Sequence, residues 1–65
     1  MDLWLLPASI ARVFGLKAYR DHVDVIKELG GVCRGPAPMG LGLVYALPAR
    51  VAKDWADDLR LIRFD

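Results

Sequence analysis

The sequence predicts an α+β fold in which helices cover one face of an antiparallel sheet, and three observations predict it. The chain repeats itself, its apolar residues alternate between strand and helix periods, and its two most apolar strands belong in the middle of such a sheet. The repeat is the strongest of the three. LWLLPASIARVF at 3–14 returns as VYALPARVAKDW at 44–55. Leu-Pro-Ala and the later Ala are identical, Trp4 matches Tyr45, Phe14 matches Trp55, Ile10 matches Val51, and Arg12 matches Lys53. Each copy is an apolar strand that stops at proline and opens a helix, because proline has no N–H for a ladder and a φ already set for a first helical turn.

Taken in order, Asp2 to Leu6 is a strand apolar at nearly every position, the pattern of a central strand covered on both faces. Pro7 ends it. Ile10, Val13 and Phe14 then recur at helical spacing until Gly15 breaks or kinks the segment. A second helical stretch from about Lys17 to Leu29 carries a stripe of Tyr19, Val23, Ile26 and Leu29. Gly30-Gly31 stops it, since glycine accepts the left-handed conformation at a helix C-terminus. Val32 to Arg34 is a short edge strand, and Gly35 to Gly40 is a loop by composition. Leu41 to Leu47 is the second strong strand, closed by Pro48. Ala49 to Leu59 is a helix with Val51, Ala52, Trp55 and Leu59 inward. Arg60 to Phe64 is a charged, alternating strand suited to a sheet edge.

The order β-α-β-β-α-β is that of a split βαβ, ferredoxin-like sandwich, in which two βαβ halves are related by a local twofold axis. The alternative is a helix-rich domain, with Ser9 to Leu29 a helix-turn-helix and the C-terminal half a small wing. Sixty-five residues make one domain, 1–65, near the lower limit for folding without disulfides or metal. Yet 55% of the residues are hydrophobic, more than so small a body hides, so self-association or a partner surface is expected.

Uncharged polar side chains are almost missing: there is no Thr, Asn or Gln, and one Ser. This composition argues against catalysis by a hydroxyl or amide network. The net charge of +1 with interleaved signs lacks the excess of a strongly electrostatic nucleic-acid binder. A single cysteine, Cys33, forms no internal disulfide and fits a reducing compartment. Asp2 and Pro7 interrupt any signal-peptide pattern, and no apolar run reaches the ~20 residues that span a bilayer. The expectation is a cytoplasmic protein with no membrane partner.

The candidates for chemistry are few. His22 has no second His or clustered Cys to make a metal site, and reads as a half-exposed helix residue. Cys33 precedes Arg34, which could lower its pKa, but no orienting third residue accompanies it. Asp54, Asp57 and Asp58 read as a solvated helix face. Gly30-Gly31 and Gly40-x-Gly42 lack the Lys-Ser/Thr and opening helix of a phosphate loop. No catalytic residue, metal site or cofactor follows. The run MGLGLVYA at 39–46 is similar, in its Gly40, Gly42 and Val44 framework, to the third strand of the RNA recognition motif. Leu41 and Leu43 stand where that motif stacks bases on aromatics, which removes the stacking and leaves the backbone pattern.

What remains is the sheet. Alternation puts Trp4 and Leu6 on one face with Leu41, Leu43, Tyr45 and Leu47, and Leu3, Leu5, Val44 and Ala46, the smaller set, could pack under the helices; with the faces reversed, Val44 and Leu3 are exposed instead. An open face of that composition is too apolar to stay wet. The expected function is therefore non-enzymatic binding of a protein partner or of a second copy, with Trp4, Leu6, Leu43, Tyr45, Leu47 and Trp55 as contact residues. An inhibitor or regulator of the kind phages and mobile elements encode fits the size and composition. RNA or single-stranded nucleic acid on the same face is the alternative.

Overall fold

In the computed structural model, which describes residues 2–64, four antiparallel strands form one open sheet and three helices pack against it. The strands are β1 (Asp2–Pro7), β2 (Val32–Pro36), β3 (Gly42–Leu47) and β4 (Ile62–Arg63); the helices are α1 (Ser9–Phe14), α2 (Leu16–Glu28) and α3 (Ala49–Trp55). The sheet order is β2-β3-β1-β4. The two strands that carry the sequence repeat thus lie side by side in the middle, where two-sided burial rewards their continuous apolar character.

The register between them has a consequence. Trp4 pairs with Tyr45, Leu3 with Ala46 and Leu5 with Val44. Trp4 and Tyr45 are also equivalent residues of the repeat, so the axis relating the copies passes through that pair. Both copies run from strand into helix, and α1 and α3 end on the equivalent aromatics Phe14 and Trp55.

After those aromatics the copies diverge. Gly15, at φ +97°, separates α1 from α2 in a conformation that side chains disfavour, so the stretches on its two sides are separate helices. In the second copy the chain turns instead. Leu59 N–H still donates to the Trp55 carbonyl at 2.9 Å, and Leu61 N–H then reaches back to the Ala56 carbonyl at 2.8 Å. Such a six-to-one bond is the closure usually made with glycine in the left-handed position. Here Arg60 occupies it at φ +56°, and its guanidinium lies 4.6 Å over the Phe14 ring. α3 is accordingly four residues shorter than its apolar spacing suggests, although Leu59 is buried as expected.

The edges also differ in detail from expectation. β2 runs on to Pro36 with a bulge between Cys33 and Gly35. The segment beyond it turns back through Met39 and Gly40, both at positive φ, with Leu41 N–H donating to the Pro38 carbonyl at 3.3 Å. Two consecutive left-handed residues match the twist of a tight hairpin and favour Asn-Gly; methionine there costs about 1–2 kcal/mol. β4 keeps only Ile62 and Arg63 of the expected five residues, and Asp2 holds its Arg63 at 3.8 Å.

Candidate functional site: the two faces of the sheet

The main core unites the helices with one face of the sheet. Leu6, Tyr45, Leu47 and Leu61 pack there with Ile10 of α1, Ile26 of α2 and Ala52 of α3. Trp4 and Leu43 join them, partly buried, beside Tyr19, Val23 and Val51. The expected face assignment is therefore reversed. Trp4, Leu6, Leu43, Tyr45 and Leu47 lie on the helix side: Leu6, Tyr45 and Leu47 are buried in the core, Tyr45 to 1% exposed, and Trp4 and Leu43 pack partly buried against it. Volume gives the reason. The gap between a sheet and a helix layer takes the larger side chains, and the set with Trp4, Tyr45 and three leucines outweighs the set with Val44 and Ala46.

The other face holds the smaller set. Leu5, Val44 and Ala37 form a second cluster with Leu3 packed against it. Residues directly opposite in a sheet point the same way. Ile62 opposite Leu5 and Val32 opposite Ala46 therefore extend this face to both edges, and alternation adds Phe64. Val32 and Ile62 are each 53% exposed and Phe64 37%. Across β1, β3 and β4 this face carries no charged side chain: Asp2 and Arg63 fall on the helix side, where the Arg63 guanidinium sits 5.5 Å over the Trp4 ring. The Pro36–Gly42 connection folds over one end of the face, where Ala37 N–H donates to the Gly42 carbonyl at 2.8 Å.

Trp55, the remaining expected contact residue, is 38% exposed at the end of α3, away from the open sheet face. Val13 and Phe14, which recur with Ile10 at helical spacing, are exposed at the end of α1 while Ile10 alone is buried, and Leu16 beyond the break is exposed with them. Val13, Phe14 and Leu16 flank the α1–α2 break, and Leu41, whose carbonyl accepts from Ala8 N–H at 2.8 Å at the other end of α1, is 52% exposed. Met39, at the hairpin tip beyond, is 94% exposed. The sign in the sequence was the three apolar residues crowded around Gly15, more than one short helix can turn inward.

The chemistry-bearing residues do not assemble into a reaction centre. His22 donates from Nδ1 to the Ala18 carbonyl at 2.7 Å, one turn back on its own helix. Among the described residues no group of His, Cys, Asp and Glu could hold a metal ion. No helix among the described residues is long and apolar enough to cross a membrane. Cys33 is exposed on β2 opposite Tyr45. The Trp4 indole N–H is buried without an acceptor, a cost of about 1–3 kcal/mol that the ring's burial has to offset.

The two tyrosines near Cys33 make stability sensitive to alkali. Burial raises the Tyr45 phenol above its ordinary 10.0, with further contributions from the Cys33 charge, from Tyr19 and from a hydrogen bond with Cys33. Tyr19 is raised by burial and then by Cys33. A folded-state pKa above the unfolded one means stability complete below pH 10 and lost as pH rises through the folded value. Urea midpoints are expected to fall above pH 10, and less steeply in Tyr45→Phe. An identical alkaline slope in both proteins would contradict the assignment. Compared with known protein families, curated sequences and solved structures, the chain finds no match.

Proposed function

We propose that this is a small non-enzymatic binding protein whose interface is the open face of the sheet. The element order and the strand order β2-β3-β1-β4 support reading the fold as a split βαβ, ferredoxin-like arrangement with α1 and α2 together as its first helical layer. Helices then serve as the backing and the sheet as the working side. The observation that carries the functional reading is the uncharged apolar set of Val32 on β2, Ile62 on β4 and Phe64 just beyond it, exposed at the rims of this face around the buried Leu5, Val44 and Ala46. Water covers such a set at a cost of about 25 cal/mol per Å² relative to an apolar partner. No cofactor enters this reading.

The nucleic-acid alternative draws no support from the geometry. Base stacking draws on several aromatic faces along the open side; Trp4 and Tyr45 are turned to the helices, which leaves Phe64 alone among the aromatics of the strands. The test of the main reading is an apolar fluorescent dye with dilute protein. Bound-dye emission is expected to drop severalfold in Val32→Lys, with unchanged circular dichroism. Equal emission from the two proteins would remove the open face from consideration.

A further inference from the structure

We propose that the corner where α1 meets α2 docks on an anionic lipid surface, with Val13, Phe14 and Leu16 entering the interface and Arg12, Lys17 and Arg60 meeting the headgroups. The apolar stripes of the two helices explain why the corner is bare. Ile10 is the buried residue of α1, and Val13 and Phe14 continue its stripe one turn on. Leu16 likewise begins the stripe of α2 that Tyr19, Val23 and Ile26 carry into the core. Both stripes overrun the core, which leaves Val13 71% exposed, Leu16 57% and Phe14 52%. Nothing lies within 4 Å of where a Cβ would stand on Gly15, so the corner is convex.

Its charge is of one sign. Residues 12–17 are exposed without interruption and read Arg-Val-Phe-Gly-Leu-Lys, three apolar side chains bracketed by two bases. The Arg60 guanidinium, 4.6 Å over the Phe14 ring, adds a third base. The sequence from 3 to 20 holds no acid. Asp57 and Asp58 precede Arg60 in its turn, but among the described residues neither forms an ion pair with any of the three bases. α2 also starts here with no acid in its first turn, and a helix N-terminus carries the same sign. Bases around a projecting apolar tip match a leaflet with anionic headgroups, whose fluid interior closes around whatever enters it. An acidic protein would match the charge, but it buries a convex tip only with a groove shaped to it. The expectation of no membrane partner rests on the lack of a spanning run, and surface contact requires none. The corner lies apart from the open sheet face, and the inference does not depend on the reading of that face.

Flotation of the full chain tests it, with vesicles of phosphatidylcholine alone and of phosphatidylcholine mixed equally with phosphatidylserine. The chain is expected to float with the mixed vesicles, to stay behind with the neutral ones, and to be released by salt. One base near such a surface is worth about fivefold in partitioning, so Lys17→Gln is expected to bind about fivefold more weakly. Val13→Ser is expected to weaken binding severalfold with unchanged circular dichroism. Val32→Ser, on the open sheet face, is expected to bind as the wild type does. A chain that does not float with anionic vesicles, or floats equally with neutral ones, overturns the inference. Undiminished flotation of both Lys17→Gln and Val13→Ser overturns it as well. A loss in Val32→Ser equal to that in Val13→Ser moves the contact to the sheet face and overturns the corner. A chain that ignores vesicles and binds poly-glutamate overturns the lipid surface in favour of an acidic protein.

Discussion

Gly42→Ala is expected to unfold the protein. Gly42 opens β3 at φ +147° and pairs with Pro7 at the end of β1. A Cβ built on it overlaps the carbonyl oxygen of Leu6 and lies 2.9 Å from the Ala8 nitrogen. Both neighbours are backbone, and both are fixed: Leu6 belongs to the central strand, and Ala8 N–H is bonded to the Leu41 carbonyl at 2.8 Å. No rotamer change relieves the overlap, so the central pair β1–β3 has to part or shift register. A chain of this length has about 3–10 kcal/mol of stability to lose, and a steric conflict of this kind costs more than ~4 kcal/mol. Gly40→Ala supplies the control. Gly40 sits at φ +68° with open space around it, so its substitution costs only the backbone preference of about 1–2 kcal/mol. Far-UV circular dichroism is expected to show a folded Gly40→Ala and an unfolded Gly42→Ala. A folded Gly42→Ala with the wild-type midpoint would mean that the close approach of β1 and β3 is wrong.

The second large effect is a contrast between faces. Leu47 is fully buried among the helices, and Ile62 is more than half exposed on the open face. Lysine at 47 would bury an ammonium in the main core, among hydrophobic residues, and the acid opposite it on β1, Asp2, is half-buried and already engaged by Arg63. Penalties of several kcal/mol per buried ion exceed what a domain of this size can lose. Leu47→Lys is expected to abolish folding. Ile62→Lys keeps its ammonium in water and is expected to change monomer stability by less than about 1 kcal/mol.

The central elements were legible because several signals agreed. The repeat fixed two strand–helix units, Pro7 and Pro48 marked their junctions, Gly30-Gly31 closed α2, and Gly15 separated two helices. The face of the sheet was not legible, and the cause is physical. Alternation divides β1 into Trp4 and Leu6 against Leu3 and Leu5, and both sets are apolar, so period alone has no polar side to discard. Side-chain volume was the signal that could have decided it, since the bulkier set fills the space beneath three helices. The end of α3 was hidden for another reason. Arg60 takes a left-handed conformation that sequence associates with glycine, and its contact with Phe14 lies far away along the chain.

The most direct test of this account is the pair of urea unfolding curves for Leu47→Lys and Ile62→Lys, recorded on dilute protein so that association adds nothing to stability. A cooperative transition near the wild-type midpoint is expected for Ile62→Lys, and no folded baseline for Leu47→Lys. A folded Leu47→Lys beside an unfolded Ile62→Lys would place the helices on the other face and contradict it.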